Sequence, residues 1–546
     1  MFGHEDDAID GELAGAEREG VGDGGLKGDV MLGAHAAAEV LRGELVDVHA
    51  DDLDGGCPGL AIVVAFQKSA HPDVGVGDWA VLGNEGGNTG FRRSSQGGGG
   101  TGQKMTTQKH RDQHMIDGMS TTRRSFLVSA ATAASASRVM GANERVNLVV
   151  IGVGGRGTGH VRSYLGLKEQ CNVAGICDVN QAARERSSTI VQTAGSPKPK
   201  EYNDMREVFA DKSVDAVSMA TPNHWHALGT VWACQAGKDV YVEKPASHNV
   251  WEADRMVDAA RKYKRMVQVG TQSRSSGHIK KAAQLMKEGV IGQVYMAKGL
   301  CYKRRPSIGR KPDIPVPPGI DWDKFLGPAP MRPFNENRFK YNWHWFWDTG
   351  NGDLGNQGVH QMDVAIWGLG INKLPAAAVS TGGKYVYDDD QETPNTQIAS
   401  FDYGPVELVF EVRGLMTGGE GDAKGVKVGN IWYGSDGYLV LDGGGFRVYK
   451  GEKNELAMDE KPIRDGDGGH MGNFLAAVKS RNRDSLNAEV AIGITSAKLC
   501  HIANISYRLK RRLALDPKTE KFVNDAEANA MLTRDYRKPY VVPANV

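Results

Sequence analysis

At 546 residues the chain is too long for a single hydrophobic core, so two domains or more are expected. Its 66 Lys+Arg balance 66 Asp+Glu, which leaves no global field to draw nucleic acid or an anionic membrane surface. No apolar run is long enough to span a bilayer.

Residues 1–118 are rich in Gly, Asp and Glu and poor in aromatics. Such a segment buries too little apolar surface to offset the entropy of ordering, and it reads as disordered or as no part of the mature protein. Residues 119–142 then carry Arg123 and Arg124 before Ser125-Phe126-Leu127, a mild Ala/Ser-rich run, and Ala134-Ser135-Ala136 as a small-residue cleavage site. This arrangement resembles a twin-arginine export signal. Because such a signal is read at an N-terminus, translation is expected to start at Met119, or at Met105 or Met115, which places the mature protein in the periplasm; if Arg123-Arg124 is only a chance basic pair in a linker and no signal is read, the protein is cytoplasmic. Peptides from residues 1–103 in the native precursor would refute such a start.

Residues 143–270 alternate apolar runs with helical stretches, the pattern of a doubly wound parallel sheet. Val146 to Ile151 is a continuous β-branched run suited to a strand buried on both faces. Gly152, Gly154 and Gly157 follow at G-x-G-x-x-G spacing: the first permits a tight turn, the second lets backbone approach a pyrophosphate, and the third lets the helix pack closely. Val153, Gly155 and Arg156 complete this loop. A second run, Val173 to Cys177, ends in Asp178, about twenty residues past the last glycine, where an acidic side chain would hold the ribose hydroxyls. Asp178 favours NAD, with NADP as the lesser alternative, because a carboxylate there repels a 2′-phosphate. Asn203 is expected to cap a short helix through Phe209. Val214 to Thr221 and Asp239 to Glu243 are further strands. Their carboxyl ends carry Thr221, Pro222, Asn223 and His226 in one case, and Glu243, Lys244 and Pro245 in the other, where an open sheet binds its ligand. Gln272, just past the last strand, is a further cofactor candidate, and Arg274 faces either nicotinamide or substrate.

Residues 271–515 change to longer alternating runs (Val294–Cys301, Ala376–Tyr387, Thr396–Tyr403, Val406–Val412, Val426–Tyr433, Tyr438–Leu441) broken by Gly-rich turns, followed by helices over 469–479 and 488–512. This describes an α+β domain with a large, mostly antiparallel sheet. Residues 516–546 read as a tail. The six cysteines lack any C-x-x-C pair and read as buried free thiols.

Lys244, beside a nicotinamide, can stabilise or donate to an alkoxide oxygen, and His360 can take a hydroxyl proton as hydride leaves carbon. Asn356 and His360 are four apart and share a helix face, with Asp363 a turn further on. His360 and Asp363 invite a metal reading, but without H-E-x-x-H, a cysteine pair or a second carboxylate at ligand spacing no metal is assigned. Arg338 to Trp347 is dense in aromatics, and Tyr341, Trp343 and Trp345 are either sugar-stacking faces or a loop packed under the second sheet. His470, in the helix that follows, is assigned packing and no chemistry.

The glycine loop, Asp178, A-T-P-N-H-W-H, V-E-K-P-A and L-G-N-Q-G-V-H-Q-M-D, in that order, resemble the Gfo/Idh/MocA family of NAD(P)-dependent oxidoreductases from Val146 to the C-terminus. The resemblance implies a Rossmann domain followed by an open-faced second domain, sugar or cyclitol substrates, Lys244 as the catalytic lysine, His360 as acid/base, and homo-oligomers. Its dehydrogenases often carry Asp where this chain has Asn356, which removes a charged partner. The leader and the ending D-Y-R-K-P-Y-V-V-P resemble an exported branch. Hydride transfer at a sugar or polyol carbinol is the expectation. An NAD-retaining glycoside hydrolase or lyase working by transient oxidation is the rival, and a non-catalytic sugar-binding protein is the third reading, against which Lys244 and His360 stand.

Overall fold

The computed structural model describes residues 145–419, 425–463, 466 and 468–546. The expected export signal, its alternative start sites and Cys57 lie outside them. The first domain runs β1 (Val146–Ile151), α1 (Gly155–Leu165), β2 (Cys171–Cys177), α2 (Gln181–Thr193), β3 (Lys200–Tyr202), α3 (Met205–Ala210), β4 (Ala216–Met219), α4 (His226–Gln235), β5 (Asp239–Val242), α5 (Val250–Lys262) and β6 (Val267–Val269). The strands form one sheet in the order β3-β2-β1-β4-β5-β6, parallel at every pairing.

β1 shows why its run is apolar throughout. Leu148 and Val150 enter a core shared with Val161 and Tyr164 of α1, whereas Val149 and Ile151 enter the opposite core with Val231 of α4 and Met256 of α5. A strand buried on both faces has no polar side to offer.

The second domain continues with α6 (Gly277–Lys287), β7 (Val294–Cys301), α7 (Trp322–Leu326), α8 (Val359–Gly368), β8 (Ala377–Gly383), β9 (Thr396–Asp402), β10 (Glu407–Arg413), β11 (Val428–Gly434), β12 (Gly437–Asp442), β13 (Gly445–Lys450), β14 (Glu455–Glu460), α9 (Gly469–Ser480), α10 (Val490–Leu509), β15 (Leu513–Asp516), β16 (Lys521–Phe522) and α11 (Ala526–Ala530). Its strands make a ten-stranded sheet, β14-β13-β12-β11-β7-β10-β9-β8-β15-β16. Only β7 and β10 pair in parallel. One face, with Phe401, Leu408, Phe410 and Trp432, is covered by α6, α8 and α10. α8 lies so close that a Cβ on Gly368 would stand 2.7 Å from the Trp432 ring. On the other face Val379 and Ile398 remain 41% and 43% exposed.

The structure differs from the sequence-based boundaries where distant segments meet. α9 places Met471, Phe474 and Leu475 on the first sheet, and α10 sends Val490, Ile494 and Ala497 into the first domain's core while Leu499, Ile502 and Ile505 enter the second. Burying Val490 and Ile494 contributes about 3–6 kcal/mol to this junction, as an upper estimate. The first domain's core is therefore completed by chain more than 200 residues away. The segment read as a tail holds the last residue of β15, the strand β16 and the helix α11, and its Tyr540 and Val542 join Trp225 and Leu228 of the first domain in one apolar cluster. The cap of α3 is Asp204, which accepts from Arg206 N at 2.9 Å; Asn203 accepts from Arg184 and donates to Asp321 instead. β3 and β13 to β16 have runs too short or too polar to be read locally. Cys171, Cys177, Cys234, Cys301 and Cys500 are free and buried.

Candidate active site

β1 delivers the chain into a loop that only glycine fits. Gly152 has φ +79°, and a Cβ there would come 2.8 Å from Ala220 O and Thr221 N; at Gly157 it would stand 1.8 Å from Gly152 O. At Gly154 and Gly155, by contrast, a Cβ would meet nothing within 4 Å, so this side of the loop is open. Asn180, Asp204 and Asn249 cap α2, α3 and α5 with their side chains. α1 has no side-chain cap and no acidic residue in its first turn. Its leading amides and positive dipole end are left facing the open side, the arrangement that receives a phosphate.

Asp178 closes the rim. Its carboxylate accepts from Val153 N at 2.7 Å and Asn180 N at 2.8 Å. Burial raises its pKa, against the pull of those two donors. Val153 itself is fully buried, so it serves the loop through its backbone. Thr221 Oγ1 is buried with no hydrogen-bond partner among the described residues, a hydroxyl left over at the end of β4. Open loop, uncapped amides, carboxylate and orphan hydroxyl together fit a dinucleotide.

From this rim Arg156 reaches Glu243, Nε to Oε1 at 2.9 Å. The same carboxylate receives Gln272 Nε2 at 2.9 Å, Lys244 N at 3.1 Å and His160 Nε2 at 3.0 Å. Burial opposes ionisation of Glu243, but Arg156, the His160 hydrogen bond and Lys244 outweigh it and hold the group well below the usual carboxylate range. A carboxylate only accepts, so His160 donates from Nε2, and its Nδ1 lies 2.9 Å from Ser218 Oγ. His160 and Ser218 carried no signal in the sequence reading, since their role depends on a carboxylate 83 residues away.

Lys244 Nζ donates to the Asn356 carbonyl at 2.9 Å. Asn356 sits in a single π-helical turn, Leu354–Gly358, ahead of α8, the kind of widened turn that recurs at functional sites. Its side-chain amide donates to Tyr341 OH at 3.0 Å. His360, on the next turn, is half-buried, and no hydrogen bond to its ring is found among the described residues. Burial first, then the nearby Lys244 ammonium, pull its pKa down to about 3. The ring is therefore neutral at ordinary pH, and a proton placed on it is held only weakly.

Four expected contacts are corrected. His226 has both ring nitrogens on backbone carbonyls, Pro245 O at 2.7 Å and Thr221 O at 2.8 Å, so it pins two strand-end loops together rather than touching a cofactor. Asn223 donates to Asn351 at 3.0 Å and is buried, which makes it a joint between domains. Asp363 is fully buried and bound twice by Arg274, at 2.7 and 3.0 Å, so it reaches no substrate. Trp345 is 3% exposed and offers no stacking face. Trp343 is half-buried and stacked on His344, with ring centres 3.6 Å apart, and Pro222 remains in the loop after β4. Missed entirely was the buried pair Arg305–Asp353, joined at 3.0 and 3.1 Å, with Arg305 Nη1 3.3 Å from Tyr341 OH. His470 holds Val269 O at 2.9 Å and Ser275 Oγ at 2.5 Å.

A 3-2-1-4-5-6 parallel sheet with an open glycine loop at its centre and ionisable groups at its carboxyl edge defines a Rossmann-type dinucleotide-binding protein. The comparison with known families narrows this. Residues 146–271 match the GFO_IDH_MocA description "Oxidoreductase family, NAD-binding Rossmann fold", and residues 278–397 and 433–542 match its companion, "Oxidoreductase family, C-terminal alpha/beta domain". The chain belongs to the Gfo/Idh/MocA oxidoreductase family.

Among curated relatives, a glycosyl hydrolase family 109 protein from Shewanella pealeana is 33% identical over 121 residues, 21% of this chain and 26% of the relative. An inositol 2-dehydrogenase from Salmonella typhimurium is 30% identical over 158 residues, 28% of this chain and 45% of that protein. The chain thus spans less than half the length of these relatives. The WlbA dehydrogenase from Bordetella pertussis, solved with NADH and UDP-GlcNAcA, shares the fold with a TM-score of 0.51 at 18% identity, over 68% of this chain and 99% of that one.

Proposed function

We propose that the protein transfers hydride between NAD and a carbinol of a sugar or polyol. The observation that carries this reading is the pairing, at the carboxyl edge of the parallel sheet, of Lys244 held on the Asn356 carbonyl at 2.9 Å with the half-buried ring of His360, for which no hydrogen bond is found among the described residues, in a site tied to the glycine loop through Glu243 and Arg156. When bound, the nicotinamide accepts or returns the hydride. Gly154, Gly155 and the first amides of α1 would hold its pyrophosphate, Asp178 its ribose hydroxyls, and Thr221 and Gln272 line the approach to Lys244. Asp178 favours NAD by repelling a 2′-phosphate.

As hydride leaves carbon, His360 takes the hydroxyl proton and the Lys244 ammonium stabilises the negative charge that develops on oxygen. Glu243 stays ionised beneath Lys244 and keeps the pocket from carrying two unbalanced cations. The surroundings that keep His360 neutral also make a standing imidazolium costly, so the ring relays the proton rather than storing it.

The similarity to glycosyl hydrolase family 109 proteins favours a second reading on the same residues. Here the sugar would give a hydride to a retained NAD, lose its aglycone by elimination, take up water across the double bond formed, and receive the same hydride back, so that no NAD is consumed; a lyase would omit the water. One experiment separates the two. The small molecules released on denaturing the purified protein are identified by mass spectrometry, and nicotinamide absorbance is followed with sugars, inositols and glycosides. Net reduction of added NAD supports dehydrogenation; bound NAD with glycoside cleavage and no net NAD turnover supports the second reading; neither would leave only sugar binding.

Export through the twin-arginine segment suits a protein that folds around its nucleotide before leaving the cytoplasm. Fractionation tests it, since exclusively cytoplasmic protein would refute it. The outer face of the ten-stranded sheet, with Val379 and Ile398 exposed, is the surface on which copies of the chain would associate, measurable by light scattering.

A further inference from the structure

Arg305 follows β7, and Asp353 precedes the π-helical turn; their side chains are 8% and 3% exposed. Arg305 grips Asp353 with Nε and Nη2 at 3.1 and 3.0 Å, anchors its backbone N–H on Gly414 O at 2.7 Å, and lies over the Trp345 ring at 5.6 Å. Taking two charges out of water is expensive, and apolar residues of similar volume would pack as well. The pair is joined to the reacting groups on two sides. Arg305 Nη1 donates to Tyr341 OH at 3.3 Å, where Asn356 Nδ2 also donates at 3.0 Å. Asp353 Oδ1 lies 3.4 Å from the same Asn356 amide. The backbone carbonyl of Asn356, in turn, receives the Lys244 ammonium.

We propose that Arg305 and Asp353 are positioning residues of the active site: they hold the Tyr341 hydroxyl and the Asn356 amide, and through the Asn356 backbone they fix where the Lys244 ammonium stands. The neutral Asn356 fits this arrangement, because its amide donates to Tyr341 OH and an aspartate could not. It also places the work of Tyr341 in its hydroxyl rather than in its ring face. The proposal rests on the reading of Lys244 as the group that meets the reacting oxygen, but its geometry can be tested without turnover.

The full-length protein is treated with acetic anhydride at a series of pH values, and acetylation of Lys244 is followed by peptide mass spectrometry relative to exposed Lys453. The variants are Tyr341→Phe, Arg305→Lys, and the double replacement Arg305→Met with Asp353→Leu, which removes both buried charges together and so is expected to fold. In Tyr341→Phe and the double variant the relative rate at Lys244 changes by about threefold or more, the equivalent of one lost hydrogen bond, and kcat falls about tenfold with the affinity for NAD unchanged. Arg305→Lys, which keeps the charge but not the two-pronged grip, falls between them and the wild type. An unchanged Lys244 rate in the folded variants overturns the proposal, whatever happens to kcat. A changed rate with unchanged turnover upholds the positioning and removes Lys244 from the chemistry.

Discussion

Replacing Lys244 with Met tests the reaction at its most informative point. Methionine keeps most of the length and removes the charge. The Asn356 carbonyl, 2.9 Å away, loses its donor, which costs about 1 kcal/mol of stability and a few degrees in Tm. The larger effect falls on the transition state: removing one group that stabilises an oxyanion typically costs about 2.7–4 kcal/mol, or about 10²–10³ in kcat. NAD affinity should change little, because the loop at Gly152 to Gly157 and Asp178 are untouched. His360 adds a second signature. Burial is the first cause of its low pKa and the Lys244 ammonium the next, so the residual activity of the variant should show His360 titrating at higher pH than in the wild type. Steady-state rates between about pH 4 and pH 9, with NAD binding followed by protein fluorescence, provide the assay. Turnover within about threefold of the wild type at full NAD occupancy would refute the role given to the lysine.

In Gly157→Ala, the new methyl would stand 1.8 Å from Gly152 O, so α1 must move away from β1; NAD binding should weaken by about a hundredfold (about 2.7 kcal/mol) in a protein that still folds, as calorimetric titration would report. Glu243→Gln puts an amide among donors from Arg156, His160, Gln272 and Lys244, and leaves Arg156 without its buried counter-charge. Because Arg156 is itself 35% exposed and partly solvated, about 1–3 kcal/mol of stability should be lost in chemical denaturation. Histidines wholly or half withdrawn from water set a pH dependence. His224, His360 and His501 are lowered to about 3 and His470 to about 4, each first by burial. The unfolded chain therefore binds more protons between these values and about pH 6.5, so the stability they contribute is complete above that pH and is lost as pH falls. Each contributes a slope of up to about 1.4 kcal/mol per pH unit. A Tm that does not fall between pH 7 and pH 5 would contradict this.

What the sequence determined by itself is whatever depends on near neighbours. Apolar runs mark β1, β2, β4 and β5 because each such strand is buried on both faces. The glycine spacing marks the loop because its constraints, a positive φ at Gly152 and a close approach at Gly157, act within six residues. That Lys244 follows a strand end was legible because the apolar run before it is local geometry, whereas the π-helical turn that carries Asn356, where a regular helix shared with His360 was expected, was not. The residues that tie those groups together were not legible: Arg156 meets Glu243 across 87 positions, Arg274 meets Asp363 across 89, and Arg305 meets Asp353 across 48. A buried charge is only tolerable beside its partner, and which partner it has is settled when separate elements pack. For the same reason Asp363 and Trp345, plausible at the substrate by spacing, are taken into the interior. Only the folded chain could place α9 and the first half of α10 on the parallel sheet, because an apolar helix face states that something must cover it and leaves open what does.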